Sequence, residues 1–138
     1  MGTVVQIVDD PSFGALVSFG VGGVTTDLLG DRAYRTLPLT DLDASELVRE
    51  PRAWPLLDGY RGSDPVDTDA LEDLLLRVAR LGDDLPEVLG LALEPVIVGP
   101  RNAWHGGRSL VVAGAVVRVG PPTARVDAGP RRMFRPRT

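Results

Sequence analysis

Residues 3–8, Thr-Val-Val-Gln-Ile-Val, form a β-branched apolar run and predict a strand. Asp9-Asp10-Pro11-Ser12 then supplies turn chemistry, because Asp tolerates turn conformations and Pro presets φ. Residues 15–19 predict the returning strand, so the first unit is a hairpin with its loop around Phe13-Gly14. Gly20-Val21-Gly22-Gly23 follows at once. A glycine cluster just past a strand marks a tight turn or a backbone that must approach something closely. Residues 24–29 fit a short helix and an extended segment equally well. Residues 33–37 predict another strand, closed by Pro38.

The spacing then changes to helical. Thr40 can cap a helix, Asp43 sits where the acid of a capping box belongs, and Leu47 and Val48 give an apolar face that ends at Pro51. Residues 56–60 read as a short connector. Residues 65–81 predict the longest helix, with Asp67, Thr68 and Asp69 crowding its start and Arg77 and Arg80 near its end, as the helix dipole prefers. Leu71, Leu74, Leu75, Val78 and Ala79 share one face, and Gly82 is the expected C-cap. Residues 89–98 and 109–119 predict two buried strands, joined by a loop over residues 99–108. After Gly120 the chain is rich in Pro, Gly and Arg and reads as a mobile tail over 121–138, behind a single domain over 1–120. Strands, then helices, then strands predict an α+β fold: one mainly antiparallel sheet with helices packed on one face.

Composition narrows the chemistry. The chain of 138 residues is 43% hydrophobic and only 5% aromatic, so its core rests on Val, Leu, Ala and Ile. It has no cysteine, which excludes disulfides, thiolate nucleophiles and Cys-based metal sites. A net charge of −4 argues against a general nucleic-acid binder. No stretch has the pattern of a signal peptide or reaches the roughly 20 apolar residues of a membrane span, so a cytoplasmic location is expected. Charge is uneven: acids crowd residues 41–84, while Arg125, Arg131, Arg132, Arg135 and Arg137 make the tail basic. The acids fit solvated helix faces, and the tail, with Phe134 as its aromatic, lacks an interleaved stacking pattern.

His105 is the only histidine and has no acid beside it in its loop, so it reads as an exposed loop residue. Gly20, Gly22 and Gly23 are candidates to cradle phosphate through backbone N–H groups. No Gly-Lys-Ser/Thr follows them, and the spacing is not the dinucleotide fingerprint. Glu94 stands inside an apolar run, where an acid is costly unless it is paired or binds a cation. It is a candidate metal ligand, a strand-edge acid facing solvent, or the partner of an arginine such as Arg118.

Several motifs in order carry a resemblance. Asp10-Pro11-Ser12-Phe13-Gly14, Phe19-Gly20-Val21-Gly22-Gly23-Val24, Leu28-Leu29-Gly30-Asp31-Arg32-Ala33-Tyr34-Arg35 and Pro38-Leu39-Thr40-Asp41 are similar to the ATP-grasp region of ADP-forming acyl-CoA synthetases. So are Leu56-Leu57-Asp58-Gly59-Tyr60-Arg61-Gly62 and Pro95-Val96-Ile97-Val98. Similar regions occur in acyl-CoA-synthetase-like protein acetyltransferases. The resemblance runs from about residue 4 to residue 119. It implies an ATP-grasp C-terminal lobe, one of two α+β lobes that close on Mg-ATP. It also implies a partner lobe or subunit, and phosphoryl transfer to CoA thioester chemistry through a phosphohistidine, which His105 does not match.

The same resemblance exposes departures. The family places an acid and an Asn two apart before the penultimate-strand Pro, and this chain has Ala92 and Glu94. The family's next strand carries Asp-Ala-Arg, and this chain reads Gly114-Ala115-Val116. Asp27 stands where the family tends to have Glu. Those acid, Asn and Asp positions normally hold Mg²⁺, which bridges phosphate oxygens during phosphoryl transfer. The expectation is a truncated, degenerate lobe that is inactive alone and serves as a binding or regulatory module. The alternative is a nucleotide-binding subunit or fragment that needs its partner lobe.

Overall fold

The computed structural model describes residues 1–22 and 31–121. The N-terminal β-branched run forms β1 (Gly2–Asp10), and the chain returns as β2 (Gly14–Val21). Asp10 builds the turn: its Oδ1 accepts from the N–H of Ser12 at 2.7 Å and of Phe13 at 3.1 Å. Gly14 enters β2 at φ 77°, a conformation that favours glycine. The third strand, β3 (Arg32–Thr36), pairs antiparallel with β2. The undecided segment 24–29 and the tail beyond residue 121 lie outside the described residues, as do Gly23 and Asp27.

Thr40 caps α1 (Asp41–Arg49) with both halves of a capping box present. The Thr40 hydroxyl accepts from the Asp43 N–H at 3.1 Å, and Asp43 accepts from the Thr40 N–H at 3.0 Å. The Thr40 backbone N–H, with the Thr40 hydroxyl, holds the Asp43 carboxyl below its usual range. Two short 3₁₀ turns, Trp54–Leu56 and Tyr60–Gly62, flank the predicted connector and overlap it only at its two ends. The long helix α2 (Thr68–Asp84) starts and ends three residues later than its sequence pattern predicts. Asp67 is its N-cap, and Pro65 lies before it.

Two expectations about its end are corrected. Gly82 is inside the helix, not its C-cap, because β1 lies against it: a Cβ there would sit 2.8 Å from Ile7 Cδ1. Arg77 and Arg80 are not in the last turn, and each instead pairs within the helix, with Asp73 at 2.8 Å and Asp84 at 3.2 Å.

After α2 the chain enters β4 (Val88–Val98), the longest strand. It pairs antiparallel with β1 on one side. Its other side takes β5 (Leu110–Val112) and β6 (Ala115–Val119), end to end. The described residues thus form a six-stranded antiparallel sheet in the order β3-β2-β1-β4-β5, with β6 also on β4. The predicted single strand 109–119 is broken at Ala113-Gly114, opposite Glu94-Pro95. Pro95 has no N–H to donate, so the ladder cannot run through it. Ala113 N–H donates to Pro95 O at 2.9 Å and Glu94 N–H to Gly114 O at 3.0 Å, closing the irregularity.

Both helices pack against one face of the sheet, over β1, β2 and β3. Phe19, Ile7, Leu47, Leu71 and Leu75 are fully buried between the layers. The expectation that residues 109–119 are buried holds only at their start, at Ser109 and partly at Leu110, and every residue of β6 is exposed. Among the described residues no layer covers that edge, and its valines stay exposed. Among the described residues no helix is long and apolar enough to cross a membrane.

Candidate functional site

The face of the sheet away from the helices is set by the pairing register. One row across it runs Arg32, Gly20, Val4 and, at the irregularity of β4, Glu94. The next row runs Tyr34, Ser18, Gln6, Ala92 and Val116. Glu94 and Ala92 share this face because Leu91 and Leu93, between them in alternation, are buried in the core. Three strand spacings, about 14 Å, separate the two ends of the first row.

Glu94 is exposed and forms no ion pair among the described residues. Arg118 is not its partner: it pairs with Gly90, and its Nη2 would lie 3.2 Å from a Cβ at that glycine. Ala92 offers a methyl group beside Glu94, and Gly114 offers nothing. A Cβ at Gly114 would collide with the Glu94 carbonyl oxygen, so an acid placed there would force the irregularity to shift. No group of three His, Cys, Asp or Glu able to hold a metal occurs among the described residues. A single exposed carboxylate does not fit Mg²⁺, a hard cation that needs ordered oxygen donors around an octahedron.

The candidate phosphate loop is partly strand. Gly20 is the penultimate residue of β2 and pairs with Val4 on one side and Arg32 on the other. Gly22 follows the strand at φ 84°, with its N–H donated to Gly2 O at 2.8 Å. Gly23 lies outside the described residues. What Gly20 contributes on this face is the absence of a side chain. The Arg32 side chain crosses β2 there, and its Nη1 donates to Gln6 Oε1 on β1. Ser18, in the neighbouring row, is fully buried, and its Oγ has no hydrogen-bond partner among the described residues.

The sequence reading missed this Arg32–Gln6–Ser18 cluster. Its signal was present: strict alternation through β1 and β2 puts Gln6 and Ser18 on the face opposite Val5 and Phe19. The same face ends in an open groove of about 530 Å³ beside the β1–β2 turn, lined by residues that include Val8, Asp10, Phe13, Leu16 and Tyr34. That groove sits at the far end from Glu94.

His105 lies in an exposed 3₁₀ turn, His105–Gly107, away from Glu94's row. Its loop is anchored from beneath by Asp67, which accepts from Ser109 Oγ at 2.6 Å and from Ala70 N–H at 3.2 Å, with Arg101 at 3.6 Å. Burial pushes the Asp67 carboxyl up, but the Ser109 and Ala70 bonds and the Arg101 charge outweigh it and hold it below the usual carboxylate range. Asp31 plays a similar anchoring part. Its two carboxylate oxygens accept from the N–H of Arg52 at 2.7 Å and of Ala53 at 3.1 Å, tying the entry of β3 to the segment that follows α1.

Comparison with known proteins gives a family match to the ATP-grasp domain over residues 1–118. An acetate–CoA ligase [ADP-forming] I of Archaeoglobus fulgidus is 47% identical over 95 residues, which is 69% of this chain and 14% of the relative. The beta subunit of acetate–CoA ligase [ADP-forming] I of Pyrococcus furiosus is 40% identical over 100 residues, covering 72% of this chain and 43% of the subunit. Among solved structures, a dinucleotide-forming acetyl-coenzyme A synthetase 1 of Ca. Korarchaeum cryptofilum superposes with a TM-score of 0.77 at 34% identity. That structure, in complex with coenzyme A and Mg-AMPPCP, is matched over 86% of this chain and 53% of its own. The chain therefore spans about half or less of each of these relatives.

Proposed function

The chain belongs to the ATP-grasp family, and we propose on that premise that it is a degenerate C-terminal lobe that serves as a binding or regulatory module. The supporting observation is the row ending at Glu94, where Ala92 and Gly114 leave one exposed carboxylate at the place expected for the metal. Without a fixed cation, the Glu94 end of this face lacks the metal charge that neutralises a transferring phosphoryl group. The lobe alone then does not catalyse acyl-CoA formation. The reading includes a cytoplasmic location, where an ADP-forming ligase meets its nucleotide. An assay of the purified chain with acetate, CoA and Mg-ATP tests it. The expected result is no ADP above background, and ADP formation by the chain alone overturns the reading.

A second reading is favoured by the solved relative bound to Mg-AMPPCP and CoA, and by the share of each relative that this chain leaves unmatched. Here the chain is the nucleotide-binding part of an ADP-forming acyl-CoA synthetase that works with a partner lobe or subunit. Glu94 meets the metal, and the Gly20, Gly22 and Gly23 segment lies near the phosphates. Adding the separately purified remaining parts of a related synthetase, the one that carries the phosphohistidine included, to the same assay discriminates the two. ADP formation only in the mixture supports the second reading, and silence in the mixture supports the first.

A further inference from the structure

The two edges of the sheet are protected unequally. The β3 edge carries Arg32, Tyr34 and Arg35, while proline follows both edges equally closely, as Pro38 and Pro121. Long charged side chains and proline are devices that keep an edge strand from pairing with another chain. The β6 edge has only Arg118 as a charge. Val116 is 70% exposed, Val117 50% and Val119 66%, so both faces of the strand are bare. β6 pairs with β4 along one side, and its outward backbone groups have no partner among the described residues.

We infer that β6 pairs antiparallel with β6 of a second copy of this chain, across a two-fold axis at Val117. The order of residues in the strand suits a copy of itself. With Val117 facing Val117, Ala115 faces Val119 and Val116 faces Arg118, so all 5 residues pair and no like charges are opposed. An axis at Arg118 instead would set two guanidinium groups against each other. On the helix side, Ala115, Val117 and Val119 of each copy form one apolar strip where neither helix layer reaches. Leu85, at the end of α2 just before β4, is 42% exposed next to that strip, since the β4 residue Val88 pairs with Val119. A two-fold contact of this kind uses the same patch on both copies and removes both bare edges at once. The inference does not depend on either nucleotide reading.

Sedimentation equilibrium of the full chain tests it, with twice the chain mass expected. Val117→Lys, which opposes two ammonium groups on the axis, is expected to give a monomer with an unchanged circular dichroism spectrum. The chain has no cysteine. Val117→Cys should therefore yield a disulfide-linked dimer on mild oxidation, because facing Cα atoms of an antiparallel pair lie within disulfide reach. Thr36→Cys on the β3 edge should not. A wild-type chain that stays monomeric at all soluble concentrations overturns the inference, as does a dimer untouched by Val117→Lys. A monomer whose β6 amides gain exchange protection only with a relative's remaining lobe overturns it too, and assigns the edge to that lobe.

Discussion

The two faces of the sheet differ in what fixes their residues. On the helix side, Val5, Val17, Phe19, Leu91 and Leu93 alternate into a sealed apolar layer, and each is at most 8% exposed. On the other side, the sheet presents Gln6, Ser18, Arg32, Ala92 and Glu94. The first face is constrained by packing, which tolerates little change in volume. The second is packed at Val4 and Ser18 and open at its Glu94 end, where the side chain is exposed. On the proposed reading, Ala92 and Gly114 leave the sealed apolar layer untouched, so the chain would keep the fold with fewer oxygen donors at the place expected for the metal.

Substitutions on each side sharpen this contrast. Phe19→Ala on the sealed face removes a fully buried ring and is expected to cost about 3–5 kcal/mol, read from urea unfolding. Asp67→Ala, at the N-cap of α2 under the loop, loses the cap and the Ser109 bond together and should cost about 2 kcal/mol. The Asp67 carboxyl is held below its usual range, so its contribution is complete above the ordinary aspartate value near 3.9 and is lost as pH falls through the lower folded value. Unfolding curves of wild type and Asp67→Ala should converge on acidification. If they stay equally far apart at low pH, the carboxylate is not the cause.

On the open face, Ala92→Asp adds a carboxylate beside Glu94 at a position whose Cβ already points outward. Its expected cost is within about 1 kcal/mol, and its expected gain is measurable Mg²⁺ binding by calorimetry. Glu94→Gln, the mildest change, should alter stability by less than about 0.5 kcal/mol, because the side chain is exposed and touches no ion.

Local signals made much of the first face legible in advance. Thr40 and Asp43 announce a capping box, and the spacing of Leu71, Leu75, Val78 and Ala79 announces the buried side of α2. What the sequence hid depends on partners distant along the chain. Gly82 reads as a helix stop, and only the approach of Ile7 shows it to be a close-packing position. Residues 109–119 are apolar enough to read as buried, and only the reach of the helix layer decides that they are not. The break at Gly114 did have a signal, since Pro95 in the neighbouring strand forbids a continuous ladder. Of the site, Glu94 and its depleted surroundings were visible through the family resemblance. The Arg32 contact to Gln6 joins residues 26 positions apart, and only the pairing register brings it into view.

The most direct test of the depleted metal site is calorimetric titration of the purified chain with ATP, with and without Mg²⁺. The account predicts that Mg²⁺ makes no difference to nucleotide binding by the chain alone. Magnesium-dependent binding that disappears in Glu94→Gln would contradict it, by showing that one carboxylate on the open face still anchors the ion.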